Sequence, residues 1–181
     1  MSDDRTRPII FFVLLLFLPG RLLAEDIVIG MSAAFSGPSK GLGIELYRGS
    51  TAYLEHVNRT GGVYGQRIAI KAYDDGYNPT PAIQNTLKLI ERDNAFLLFN
   101  YVGTPTVTRI LPLLKSNKSR FVYLFTPFTG AQPLRQPPYG EYVFNLRASY
   151  SNETEGLVDH FVSTGRSRIA VFYQADAYGR S

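Results

Sequence analysis

The sequence predicts a doubly wound α/β fold, a mostly parallel sheet with helices on both faces. Two observations carry the prediction. Strand-like and helix-like apolar patterns alternate along the chain, the signature of parallel strands joined by helical crossovers. Three times, too, an apolar run breaks into a loop of small, hydroxyl-bearing and Gly/Pro residues. In a parallel sheet all such loops fall on the carboxyl edge, where open α/β sheets bind ligands.

The elements follow in order. Residues 26–31 read as strand one. Leu42, Leu46, Gly49, Ala52, Tyr53 and Val57 recur at helical spacing, and Thr60-Gly61-Gly62 supplies the stop. Residues 67–73 alternate Ile68, Ile70, Ala72 against Arg67, Ala69, Lys71, which suits a strand near an edge. Asp74-Asp75-Gly76-Tyr77-Asn78-Pro79 is a turn, and Thr80-Pro81 predicts an N-cap with proline in the first helical turn. The stripe Ile83, Leu87, Ile90 then runs as a helix to about Asp93.

Residues 96–100 predict a buried third strand. Residues 106–115 predict a helix, with Pro112 as a kink or late break. Residues 121–125 predict a fourth strand, 130–140 irregular chain rich in Pro and Gly, and 142–147 a fifth strand. A helix opened by Ser151 with Thr154-Glu155 carries Leu157, Val158 and Phe161 and ends at Gly165. Residues 168–173 predict a sixth strand. The helix expected to cover that strand does not follow, so the chain is expected to be a truncated form of a longer protein.

Residues 1–24 differ in pattern from the rest of the chain. Arg5 and Arg7 precede an apolar run from Ile9 to Leu18, and Leu22-Leu23-Ala24 offers a small-residue cleavage point. The run is too short to span a bilayer as a helix, which takes about 20 residues. Charged start, short apolar core and small exit describe a secretory signal. The absence of cysteine leaves no disulfide and no thiolate metal site, and together these favour a bacterial periplasmic location. The remaining chain, 45% apolar overall, is long enough for a real core. The net charge of +4 is scattered, whereas nucleic-acid binding needs a concentrated basic face, so no nucleic-acid partner is expected.

Gly37-Pro38-Ser39-Lys40-Gly41 matches G-x-S-x-G between a strand and a helix, which would make Ser39 an acyl-transfer nucleophile. That reading needs a histidine base and an oxyanion loop, and no earlier strand supplies the loop; a serine hydrolase is kept as a weak alternative. Gly41-Leu42-Gly43 fails the dinucleotide fingerprint, because Leu46 stands at the third glycine, and no phosphate-loop motif is present. His56 and His160 have no carboxylate at ligand spacing, so no metal, cofactor or catalytic residue is expected. Asp74 and Asp75 suit turn and capping roles.

Binding remains. A zwitterion such as an amino acid wants N–H and O–H donors for its carboxylate, and carbonyl and hydroxyl acceptors for its ammonium. The three loops supply both without formal charge. Ser36 stands in the first, Tyr101, Val102, Gly103 and Thr104 in the second, Thr126, Phe128, Thr129 and Gly130 in the third. Thr104 and Thr106 equally suit helix capping.

The residues converge on a family. Ile29-Gly30 through Ser36-Gly37-Pro38, then Val57-Asn58-Arg59-Thr60-Gly61-Gly62-Val63-Tyr64-Gly65, Tyr73-Asp74-Asp75-Gly76, Tyr142-Val143-Phe144 and Ala177-Tyr178-Gly179 resemble leucine/isoleucine/valine-type periplasmic binding proteins, from about Asp26 onward. The resemblance is strongest to a branch carrying Gly103-Thr104-Pro105-Thr106, Pro127-Phe128-Thr129-Gly130-Ala131, Arg147-Ala148-Ser149-Tyr150 and Ala170-Val171-Phe172-Tyr173-Gln174. The resemblance implies a two-lobe protein that closes on an amino acid or similar small polar solute and delivers it to a membrane ABC permease. It implies a first lobe over 25–145 and the beginning of a second over 146–181. It implies that 101–104 grip the carboxylate, that 128–130 help hold the ammonium, and that Tyr178 covers the ligand. The usual serine of the strand-three loop is replaced near Gly103-Thr104. The acidic partner of the ammonium is expected beyond Ser181. A sensory receptor domain on the same fold, feeding a signalling partner, is the alternative function.

Overall fold

The computed structural model describes residues 25–181; the expected leader at 1–24 lies outside them. The element order is β1 (Ile27–Ala33), α1 (Lys40–Arg59), β2 (Ile68–Asp74), α2 (Pro79–Glu91), β3 (Leu97–Phe99), α3 (Thr104–Ser116), β4 (Leu124–Phe125), β5 (Val143–Phe144) and α4 (Tyr150–Ser163). Five strands form one parallel sheet in the order β2-β1-β3-β4-β5, with β2 at the edge that its alternating pattern predicts. The long ladder is β1 on β2, from Ile27 opposite Ile68 to Ala33 opposite Asp74.

The sheet's better-covered face carries α2 and α3. Ala82, Leu89 and Ile90 of α2 and Val107, Ile110, Leu111 and Leu114 of α3 are buried in one cluster with Leu98 and Leu124. β1 comes so close to α2 that a Cβ on Gly30 would stand 3.0 Å from both Leu89 methyls. On the other face α1 covers β1 and β2 around Met31, Ala33 and Val102. Its approach is set by Gly43, where a Cβ would meet the Ala34 carbonyl oxygen at 2.1 Å.

Several expectations shift. The cap of α2 is Asn78, whose Oδ1 accepts the Thr80 N–H at 3.0 Å, so the helix starts at Pro79 rather than after Thr80. α3 begins at Thr104 and runs through Pro112 to Ser116 without a break; proline there forfeits one backbone bond, and its buried neighbours Ile110, Leu111 and Leu114 hold the helix to the sheet. The predicted fourth strand shrinks to two residues, because Lys118–Arg120 close a 3-10 turn and Phe121 takes φ 54°. The fifth is likewise Val143–Phe144. α4 is capped by Ser149, whose Oγ accepts the Asn152 N–H at 3.1 Å, not opened by Ser151. The predicted sixth strand is not formed: 168–173 are unpaired, and Phe172 is fully exposed. A strand needs a neighbouring ladder, and no described residue supplies one there.

Among the described residues, no helix is long and apolar enough to cross a membrane.

Candidate functional site

The site grows from the carboxyl edge. After β3 the chain passes Asn100 at φ 50° and reaches Gly103 at φ 102°, a conformation that favours glycine. This loop is zipped to the one after β4: the Phe128 N–H donates to the Tyr101 carbonyl at 2.7 Å, and the Gly103 N–H to the Phe128 carbonyl at 3.4 Å. Gly103 is also demanded by contact, since a Cβ would lie 2.4 Å from the ring of Tyr77.

Tyr77 belongs to the turn after β2, which two carboxylates organise. Asp74 Oδ1 accepts the N–H groups of Phe35 (2.8 Å), Ser36 (3.2 Å) and Gly76 (2.9 Å), clasping the β1 loop to the β2 loop. With the Ser36 hydroxyl adding the largest effect, these donors hold its carboxyl below the ordinary range. Asp75 is buried; it accepts the Ser32 hydroxyl at 2.7 Å and the Tyr77 N–H at 2.9 Å. Burial pushes its carboxyl up to about 6, against the lowering by Ser32. Burial, assisted by Asp176, pushes the Tyr77 phenol up to about 12, so it remains a neutral hydroxyl at the edge.

These elements enclose a cleft of about 370 Å³. One wall is Val102, Gly103 and Thr104 at the start of α3, with Tyr77 beside them. A second is Ser39 and Leu42 around the start of α1. Phe128, beside Gly103, and Arg147, Tyr150, Gln174 and Tyr178 complete the lining. The Tyr150 and Tyr178 rings meet edge to face at 5.3 Å between centroids. Thr104 Oγ1 lies 2.7 Å from Thr129 Oγ1 and 3.4 Å from the Tyr150 hydroxyl. The first turn of α3 has no intrahelical acceptors for the N–H groups of Thr104 and Thr106, while Pro105 carries none. Those donors and the positive end of the helix dipole suit a carboxylate.

Of the residues singled out in the sequence, Val102, Gly103, Thr104, Phe128 and Tyr178 come together around this cleft. The others do not line it. Tyr101 is fully buried, its hydroxyl 3.1 Å from Thr86 Oγ1, because its side chain points into the core beneath α2 and α3. Ser36 is exposed and committed to Asp74. Thr126 donates to Asn100 Oδ1 at 2.6 Å and faces a neighbouring apolar hollow beside Phe99 and Leu146. Thr129 is buried behind Thr104, and Gly130 lies under Tyr150, where a Cβ would come within 2.8 Å of the ring.

Residues that the sequence does not point to as cleft lining are Leu42, Tyr77, Arg147, Tyr150 and Gln174, together with Ser39, which it offers only as a nucleophile. Tyr77 was findable, since the turn after strand two lies on the same edge as the other loops. Arg147 and Tyr150 stand in Arg147-Ala148-Ser149-Tyr150 with no local signal that aims them at the cleft. Ser39 sits before α1 with no side-chain cap bond. Neither histidine is hydrogen-bonded to it among the described residues.

Comparison with known proteins agrees with this fold. The family model described as periplasmic binding protein matches residues 26–181. The chain is 24% identical over 156 residues to Leu/Ile/Val-binding protein homolog 3 of Brucella melitensis, covering 86% of this chain and 41% of the relative. It is 24% identical over 159 residues to an amino acid binding protein of Pseudomonas aeruginosa, with the same coverage. Among solved structures it matches a possible leucine/isoleucine/valine-binding protein from Rhodopirellula baltica with TM-score 0.79 and 33% identity, over 87% of this chain and 42% of that one. It matches a substrate-binding periplasmic protein from Ralstonia solanacearum with TM-score 0.79 and 30% identity, over 86% and 43%. The chain therefore spans less than half the length of the relatives it matches. On the strength of its parallel sheet, its carboxyl-edge cleft and a family match from residue 26 to residue 181, this chain belongs to the periplasmic binding protein family, with leucine/isoleucine/valine-binding proteins among its relatives.

Proposed function

We propose that this chain is part of an extracytoplasmic solute-binding protein that takes an amino acid or related small polar solute and delivers it to a membrane ABC permease. In this reading residues 25–145 are the first lobe and 146–181 the beginning of the second. The observation that carries it is the start of α3 in the cleft wall, where Gly103 turns the chain and Thr104 brings an unpaired helix-start donor to a pocket of amino-acid size. The solute's carboxylate sits at that helix start and its ammonium faces Phe128 and the loop behind it. Tyr178 covers the solute from the far side. Each hydrogen bond to a charged group contributes about 1.5–3 kcal/mol, so three or four near the upper end of that range reach the roughly 8 kcal/mol of micromolar binding. The names of relatives that bind amino acids support the solute class.

The test is a thermal-shift screen of the purified protein against amino acids, amides and small carboxylates. A zwitterion should raise the melting temperature, and Thr104→Ala should remove that rise. No shift from any zwitterion overturns the amino-acid reading. Uptake of the same solute that is unaffected by deleting the gene overturns delivery to a permease.

A further inference from the structure

Resting on the solute-binding reading above, the geometry points to Arg147 as a second recognition point in the cleft, specific for a carbonyl or carboxylate oxygen at the far end of the solute. The guanidinium is placed with unusual thoroughness for a residue at the rim. Its Nε and Nη2 donate to the two oxygens of Glu153, each at 2.8 Å, a two-point pairing that fixes the plane of the group. Its Cζ lies 5.3 Å from the Phe128 ring centroid and 5.0 Å from that of Tyr150. The backbone is held as well, since the Arg147 carbonyl accepts from Arg135 Nη2 at 2.5 Å. What this leaves is Nη1, which makes no hydrogen bond among the described residues, on a side chain that lines the cleft.

Two features make that free nitrogen a recognition group instead of a solvated surface charge. First, the contacts that orient it are themselves cleft walls: Phe128 and Tyr150 both line the pocket. A guanidinium stacked on aromatic faces is weakly hydrated and loses little freedom when it accepts a partner. Second, Tyr150 joins it to the proposed carboxylate point. The tyrosine hydroxyl reaches Thr104 at 3.4 Å, and its ring carries the guanidinium. One tyrosine side chain therefore separates the helix-start donors from the free Nη1. A solute that satisfies both has oxygen at each end and a few carbons between, as an amide or acidic amino acid does. Because the Arg147 side chain is 33% exposed, a purely aliphatic side chain seated in the cleft would take water from Nη1 and offer no acceptor in return. Polar groups a ligand leaves unpaired are what such sites discriminate by. Glu153 neutralises the arginine, so the site takes a neutral amide oxygen as well as a carboxylate.

Calorimetric titration of the purified protein with L-glutamine, L-glutamate and L-leucine tests this. At least one of the two oxygen-tipped solutes should bind about tenfold more tightly than leucine, and in Arg147→Met that ratio should collapse by a similar factor. Leucine binding as tightly as both, or a ratio unchanged in Arg147→Met, overturns the assignment while leaving amino-acid binding intact. Should Arg147→Met fail to fold because Glu153 loses its partner, Glu153→Gln keeps the guanidinium and removes its fixed carboxylate. Glutamate should then gain severalfold on glutamine, and an unchanged ratio overturns the proposal. Failure of every zwitterion to bind overturns the solute reading itself.

Discussion

The chain before Ser149 and the chain after it are built on different principles. In the first, the apolar stripes of α2 and α3 meet a partner: Leu89 of α2 and Leu111 and Leu114 of α3 are sealed against Leu98 and Leu124. In the second, α4 has a sound cap and a helical pattern, yet none of its residues is buried, and Leu157, Val158 and Val162 face outward. Both regions carry legible secondary-structure signals. The difference teaches that pattern and caps suffice to draw a helix, while only tertiary contact gives it stability. The cleft lies where the two regions meet, with its fixed wall from the packed region and Gln174 and Tyr178 from the other.

The sharpest way to break the comparison is a pair of leucine truncations read by chemical denaturation. Leu111→Ala should cost about 2–5 kcal/mol, the range for emptying a packed core site. Leu157→Ala should stay within about 0.5 kcal/mol, as an exposed substitution does. Equal losses would mean that α4 is covered by contacts of its own.

A next-largest effect concerns the buried Asp75. Burial pushes its carboxyl up to about 6 in the folded chain from an ordinary 3.8, so the folded state holds the proton more tightly than the unfolded. Ionisation therefore favours unfolding, and stability falls as pH rises from about 4 to about 6. Two pKa units correspond to about 3 kcal/mol at most. In Asp75→Asn that fall should vanish from a pH series of melting curves; a persisting slope would place the titration elsewhere.

The smallest effect sharpens the boundary itself. Ser149→Ala removes the Asn152 N–H acceptor and should weaken α4 by about 1 kcal/mol. Amide exchange should quicken across α4 and leave α3 unchanged, whereas quickening in both would make them one cooperative unit.

Much of the fold was legible because parallel-sheet strands and their crossover helices differ in period, and turn residues punctuate them. Gly61 and Gly62 stop α1, and Asn78-Pro79 starts α2. Boundaries failed where a local signal was overridden by an accident of pairing. Apolar Phe121 was drawn into a strand, yet the ladder begins only where Leu124 finds Leu98 and Val143. The site was half legible for a related reason. Sequence identifies which loops share an edge, but hydroxyl content does not reveal which hydroxyls are already spent. Thr129 is consumed by Thr104, Thr126 by Asn100 and Tyr101 by Thr86.

By itself, then, the sequence determined the doubly wound sheet, the edge that carries the loops and the absence of thiolate chemistry, since periodicity and composition are properties of the chain alone. Tertiary structure decided which side chains reach the cleft. Thr104 and Tyr101 stand three residues apart in one loop, yet one meets the pocket and the other the core. Arg147 becomes a candidate recognition group only once Glu153, Phe128 and Tyr150 hold its plane. Direction in space is set by packing between segments distant in sequence, and no local pattern encodes it.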